Sequence, residues 1–278
     1  MNPRFWRRIG THPFGIAGGI LLAVFALSAL FAPWLSTFSP TATDFDSLLQ
    51  PPNHLHPFGT DALGRDVLAR TLYGGRVSLV VGFTAVTLAM LVGGLWGLVA
   101  GYFRGWLDSL LMRFVDALLA FPFLVLALTL AAVLGPGLFN TILAISIVTA
   151  PSVARLVRGQ VLAEIEKDYV VSAVALGASH ARIVFRHVLP NLGGPLIVQG
   201  SLSTANAILA ESTLSFLGLG IQPPTPSWGS MLNEARGYVE SAPWLAIFPG
   251  LAIFIAVLSF NLLGDALRDA FDPRTGRG

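Results

Sequence analysis

Apolar runs of roughly 20 residues dominate the chain, separated by shorter polar stretches. A helix needs about that length to cross the hydrocarbon of a bilayer, where every backbone N–H and C=O must be bonded within the segment itself. Six runs qualify: Phe14 to Phe31, Val77 to Gly101, Leu110 to Leu134, Leu138 to Ala154, Leu196 to Leu217 and Trp244 to Leu263. The fourth is short and is expected to end near Pro151. The pattern predicts an all-α membrane protein, a polytopic bundle of six transmembrane helices.

Composition agrees. Of 278 residues, 54% are hydrophobic and 12% charged, against about 25% charged in a soluble domain, and the mean hydropathy is +0.71. Arg4, Arg7 and Arg8 precede the first run, and Ala26 and Ser28 lie near its end, as in a cleavable signal. The run is longer than a signal core and is expected to stay as an anchor. With no cysteine, a disulfide framework, a thiol nucleophile and a cysteine-bound metal are excluded. The only lysine, Lys167, follows Glu166 rather than a glycine-rich turn, so the chain lacks a phosphate-cradling loop and any ATP is used by a partner.

The placement of basic residues sets the orientation. Arg4, Arg7, Arg8, Arg104, Arg113, Arg155, Arg158, Lys167, Arg182, Arg186, Arg268, Arg274 and Arg277 fall on one side; Arg65, Arg70, Arg76 and Arg236 fall on the other. Both termini are therefore expected in the cytoplasm. Two loops are expected outside: Trp34 to Arg76, and Gly218 to Pro243 with its proline-rich run QPPTPSWG.

One stretch, DYVVSAVALGASHARIVFRHVLPN from Asp168 to Asn191, is too polar to span and too apolar to be left in water. Asp168 is expected to cap a helix that Gly177 ends in a left-handed turn, giving about two turns, roughly 12 Å long. Ser179 is expected to cap a second helix, with Arg182 and Arg186 on one face, which Pro190 stops. An isolated apolar two-turn helix is unstable unless its face is covered. Either it folds back on its own spans, or it lies in the groove of a cytoplasmic partner.

Other features are local. Gly93, Gly97 and Gly101 recur every fourth residue and allow a close helix approach, read as packing within one bundle. In the fifth run Gln199, Ser203 and Asn206 share one face, while Ser201, Thr204, Glu211 and Ser215 sit toward the other; either set acts as polar glue or borders a pathway. Glu211, ionisable inside a span, needs a partner or a wet cavity. Asp116 has Arg113 one turn earlier and lies near the cytoplasmic edge, so either a local ion pair or an interfacial position accounts for it, and Pro122 is expected to bend its helix or pack statically. His54 and His56 lack a third ligand at metal spacing, so no metal site is assigned. Arg65, Asp66 and Arg70 are expected on an interfacial helix facing outside partners.

The Asp168–Asn191 stretch resembles the cytoplasmic EAA loop of bacterial ABC importer permeases, with Ala173, Gly177, Leu189 and Pro190 at matching positions, and Val171, Ser172 and His187 departing from the pattern. HPFGTDALGRDVLARTLYGGRVSL, ESTLSFLGLGIQPPTPSWGSML and FNLLGDALRDAFDPR extend the resemblance to the C-type permease subunits of dipeptide and oligopeptide importers, a group that includes nickel and glutathione systems. The resemblance implies a type I ABC importer permease fold. It also implies an anchor helix with external loop at 1–76, a permease domain at 77–264 with a coupling loop at 155–192, and a cytoplasmic tail at 265–278. Asp168, Val171, Ala173, Leu176, Gly177, Leu189 and Pro190 would couple to an ATPase, and Gln199, Ser203, Asn206 and Glu211 are pathway candidates. Implied partners are a B-type permease, two cytoplasmic ATPase subunits carrying ATP and Mg, an external binding protein and membrane lipid, with no nucleic acid and no cofactor in this chain. The implied location is the bacterial inner membrane.

Two other classes compete. An enzyme needs convergent groups, whereas Asp116 and Glu211 lie on different spans and no nucleophile motif is visible. An ion-driven carrier would titrate Glu211.

Overall fold

The computed structural model describes residues 13–271, and these residues are helical or loop with no strand beyond one isolated bridge between Thr60 and Asp66. The expectations for Arg4, Arg7, Arg8, Arg274 and Arg277, and for the side on which each terminus lies, fall outside the described residues. The helices are α1 (Pro13–Leu30), α2 (Ala32–Leu35), α3 (Val67–Phe103), α4 (Gly105–Leu119), α5 (Phe123–Leu134), α6 (Leu138–Ile165), α7 (Asp168–Ala175) and α8 (His180–Arg182). A π-helical turn, Ile183–Val188, leads into α9 (Leu189–Phe216), followed by α10 (Trp228–Ala235) and α11 (Trp244–Phe271).

Among the described residues, α1, α3, α6 and α11 are each long and apolar enough to cross a membrane, and the bent pair α4 and α5 makes a fifth span if taken as one. The sequence pattern predicts six. The shortfall is α9, which has the length at 28 residues but carries Gln199, Ser203, Thr204, Asn206, Glu211, Ser212 and Ser215. Most of these polar groups are buried against neighbouring helices rather than turned to lipid.

Three predicted boundaries move. Helix α3 starts ten residues before the expected span, because Asp66 caps it, its Oδ1 accepting from the Ala69 N–H at 2.6 Å. This places Arg70 in the first turns of α3. The expected third span is broken, with α4 and α5 meeting at 90°. Pro122, at φ −56° and ψ 131°, takes an extended conformation and offers no N–H to continue the helix. Conversely, α6 runs through Pro151 to Ile165. The bond lost at Pro151 is offset by packing, since Ala150 and Val153 lie directly against Gly93 of α3.

The glycine stripe explains the tightest helix pair. A Cβ on Gly97 would stand 2.8 Å from Val157 Cβ, and one on Gly101 would stand 2.9 Å from Val161 Cβ. The expected role of these glycines, packing within one bundle, is what the geometry shows.

Loops expected on the same side meet. At one end of the bundle, Arg65 reaches Asp61 at 2.6 Å and Glu234 at 2.7 Å, and Arg70 reaches Glu234 at 3.0 Å, tying the loop before α3, and α3 itself, to α10. His56 Nδ1 lies 2.9 Å from Asp66 Oδ2, both buried. The arginines and Asp66 thus brace the fold rather than line an open interfacial face. On the other side Arg104 meets Glu166 at 2.9 Å, and Arg158 holds Asp108 through two bonds of 2.5 and 2.7 Å. Asp116 pairs with Arg155 at 2.5 Å, not with Arg113, because the break at Pro122 lays α4 along α6 and brings the neighbouring helix closer than the local turn.

Candidate functional site

The Asp168–Asn191 stretch builds a small platform at the end of α6. Helix α7 begins after Lys167, whose extended backbone makes it the N-cap, so Asp168 sits in the first turn and does not cap. Its charge there still suits the positive end of the helix. The other end closes as predicted in kind: Gly177 has φ +78°, the Gly177 N–H donates to Val174 O at 2.9 Å and the Ala178 N–H to Ala173 O at 3.0 Å. This pair of bonds is the Schellman closure that a left-handed glycine permits. Ser179 caps the next turn by accepting from the Arg182 N–H at 3.4 Å.

Pro190 does not stop a helix. Helical structure continues from α8 through the π turn into α9, with Pro190 in the first turn of α9. The wider turn, in which the Leu189 N–H donates to Val184 O, makes room for a ring that would otherwise strike the preceding carbonyl.

Helix α7 has two faces with different surroundings. Val170 is 1% exposed and packs with Val153, Val157 and Val161 of α6, Ile183 and Val188 of the π turn, and Leu192 of α9. Val171 and Val174 are each 55% exposed and Leu176 is 89% exposed. Of the alternatives left by the sequence, the fold-back is realised on one face, through Val170, while the opposite face presents apolar surface outward. Ala173 is half-buried, Leu189 is half-buried against the Val170 cluster, and Pro190 is exposed.

Polar bonds fix the platform. Glu164, buried at the end of α6, takes Lys167 Nζ at 2.6 Å and the Tyr169 hydroxyl proton. Asn191 Nδ2 donates to the Tyr169 hydroxyl at 3.0 Å and to His187 O at 2.6 Å. Burial, together with the hydrogen bond and charge of Glu164, pushes the Tyr169 phenol up to about 12. Tyr102 of α3 meets His180 Nδ1 at 2.8 Å. Sequence reasoning counted Val170 among the apolar residues of the short helix without singling out its inward role, and missed Glu164, Tyr169 and Asn191. Val170 follows from the helical period once α7 is placed, but no spacing rule joins Glu164, Tyr169 and Asn191.

The pathway candidates separate. Gln199 borders a cavity of ≈ 700 Å³ with Gln160, Pro190, Asn191 and Arg268, and its Nε2 donates to Ser203 Oγ at 3.1 Å. Ser203 is buried, while Asn206 is exposed and borders a smaller cavity of ≈ 380 Å³ beside Phe123 and Leu124 of α5. Glu211 is 0% exposed and accepts from Ser78 Oγ at 3.1 Å and Ser215 Oγ at 2.8 Å.

Comparison with known proteins shows the family and the fold. Residues 93–277 match the family model of the binding-protein-dependent transport system inner membrane component, and residues 4–52 match the N-terminal transmembrane domain of oligopeptide transport permease C. The chain is 45% identical to the dipeptide transport system permease protein DppC of Alkalihalophilus pseudofirmus, over 97% of this chain and 88% of that protein. It is 46% identical to the di/tripeptide transport system permease protein DppC of Pseudomonas aeruginosa, over 97% and 91%. It is 44% identical to the glutathione transport system permease protein GsiD of Pectobacterium atrosepticum, over 97% and 90%. A solved structure of the MetNI methionine ABC transporter in inward-facing conformations matches with a TM-score of 0.61 at 18% identity, covering 73% of this chain and 97% of that one, a likeness of fold.

Proposed function

The chain belongs to the binding-protein-dependent transport system inner membrane components, and on that premise we propose that it is the permease subunit through which an ABC importer admits short peptides. It is a multi-pass protein of the inner membrane with the ABC importer permease fold, and it is a transport subunit rather than an enzyme. Its partners are, in general, another permease, an ATPase and a binding protein. In the finer reading the second permease is of B type, two cytoplasmic ATPases hold the ATP and Mg, and α9 supplies the sixth crossing of the membrane.

The observation that carries the reading is α7. A helix that is buried through Val170 yet shows Val171, Val174 and Leu176 outward has the shape of a knob for a cytoplasmic groove. ATP-driven closure of the partner ATPases would push this knob, and the bonds at Glu164, Tyr169 and Asn191 make it move with the bundle instead of sliding over it. Asp168, Ala173, Gly177, Leu189 and Pro190 shape and seat the knob. Gln199 and Asn206, which border cavities, suit the pathway; Ser203 positions Gln199, and Glu211 serves the interior of the bundle.

Leu176→Asp tests the docking. It places a charge on a side chain that is 89% exposed, so the permease should fold. The ATPase subunits should no longer copurify with it, and uptake should be lost. Full copurification would overturn the assignment of α7.

The glutathione transport relative keeps a second substrate open, and glutathione is itself peptide-like. Uptake of labelled di- and tripeptides and of labelled glutathione should be compared in a strain lacking this subunit, with and without the gene restored. Peptide uptake that depends on the gene, with glutathione uptake that does not, supports the reading; the reverse overturns it.

A further inference from the structure

We infer that Tyr169 is the positioning residue that joins α7 to α6 and α9 at once, so that a displacement of the knob reaches both long helices together. The inference rests on the assignment of α7 as the ATPase-facing helix.

Val170 fills an apolar socket among valines, isoleucine and leucine. Such contact resists separation, but it is non-directional and lets a short helix roll. Directed bonds are what convert a push into a fixed displacement. Among the described residues, the side-chain hydrogen bonds of α7 itself all involve the Tyr169 hydroxyl. That one oxygen donates to Glu164 of α6 and accepts from Asn191 Nδ2 at 3.0 Å in the first turn of α9.

Both partners are held in turn. Glu164 is 6% exposed and is also fixed by Lys167 at 2.6 Å. The Asn191 amide is aimed by its second bond, to His187 O at 2.6 Å. The Tyr169 ring lies 6.0 Å from the His187 ring, so the aromatic body has a seat independent of the hydroxyl. Arg104 with Glu166, beside α7, is a surface ion pair, 49% and 71% exposed, and constrains little. Tyr169 is itself 43% exposed, and what sets its hydroxyl apart is that its bond to Glu164 is half-buried and that it meets two helices at once.

α9 also carries Gln199 and Asn206, which border the two cavities. The hydrogen bond from Asn191 to Tyr169 therefore gives a direct side-chain connection between the knob and the helix that carries the polar face. A contiguous chain of bonded groups with a defined geometry can transmit such a motion, and a double-mutant cycle detects it.

Tyr169→Phe keeps the ring and removes only the shared oxygen. The test uses the complete importer in proteoliposomes with its external binding protein, measuring labelled dialanine uptake and ATP hydrolysis in the same vesicles. In Tyr169→Phe, hydrolysis should persist while uptake per ATP falls about fivefold or more, the range of a lost coupling free energy of 1 to 3 kcal/mol. Asn191→Ala should lower the ratio similarly, and the double variant should be no worse than either single one. An unchanged ratio, or a parallel fall in uptake and hydrolysis, would overturn the positioning role, as would additive losses. If the wild-type complex holds no ATPase against α7, the assignment of that helix fails instead, which copurification separates from the present outcome.

Discussion

Ser78 Oγ donates to Glu211 Oε2 at 3.1 Å in the middle of the bundle, joining α3 to α9 through a carboxylate that has no exposed surface. Ser215 donates to the other oxygen at 2.8 Å, and Ser212 stands 3.5 Å away on the same helix. An acid so enclosed is a fastening between two helices, and it borders neither of the two cavities beside α9.

Glu211→Gln is therefore expected to retain uptake, because the amide oxygen still accepts from a serine. Glu211→Ala leaves Ser78, Ser212 and Ser215 without their acceptor, at a cost of about 1 to 3 kcal/mol. It should lower the melting temperature of the detergent-solubilised complex and its uptake together. Loss of uptake in Glu211→Gln with normal stability would favour an ion-driven carrier titrating this group.

At Gly177 the constraint is conformational and not spatial. The backbone has φ +78°, yet no atom lies within 4 Å of where a Cβ would stand. Gly177→Val should cost about 1 to 2 kcal/mol through the left-handed conformation alone. Gly177→Asn should cost less, because asparagine tolerates that region. Uptake per ATP should follow the same order, glycine above asparagine above valine. Equal behaviour of the two variants would show that the turn geometry does not matter for coupling.

Neighbouring glycines of α3 should respond in opposite ways. A Cβ at Gly97 would meet Arg158 N at 2.9 Å, whereas a Cβ at Gly94 meets nothing within 4 Å. Gly97→Val should force α3 and α6 apart, at about 1 to 3 kcal/mol, and reduce the amount of folded protein in membranes. Gly94→Val should leave it unchanged. Quantitative immunoblotting of the two variants checks the contrast.

The Tyr169 phenol should ionise late. Its value is raised from 10.0 to about 12 by burial first and then by Glu164. A raised value means that the folded state prefers the protonated hydroxyl. The resulting stabilisation is complete below pH 10 and disappears as pH rises toward 12. Tyrosinate absorbance of wild type minus Tyr169→Phe should show no ionisation at this position up to about pH 10. A transition centred near pH 10 would mean that the hydroxyl is not held as described.

Legibility in the sequence depended on the range of the interaction. Gly177 and Ser179 were readable as punctuation because their partners lie within five residues in the chain. Asp168 misled because Asp168 and Lys167 both precede an apolar run, and only backbone geometry distinguishes the cap from the first turn. Pro190 and Pro151 misled for a shared reason. A proline removes one bond and crowds one carbonyl, but a π turn in one case and tight packing against α3 in the other absorb that cost. Asp116 chose Arg155, 39 residues away, over Arg113, three away, because the bend at Pro122 brought α6 alongside.

The sequence by itself determined that this chain is helical and lives in a membrane, and that a short apolar helix with a left-handed end stands apart from the spans. Those features follow from hydrophobic runs and local backbone chemistry, which need no knowledge of neighbours. Only the tertiary structure decided that Val170 turns inward while Val171, Val174 and Leu176 turn outward, that Glu211 is sealed by serines, and that one tyrosine oxygen joins three segments. Each of these depends on side chains brought together from distant positions, where burial and hydrogen-bond geometry are properties of the packed bundle and not of any stretch of chain.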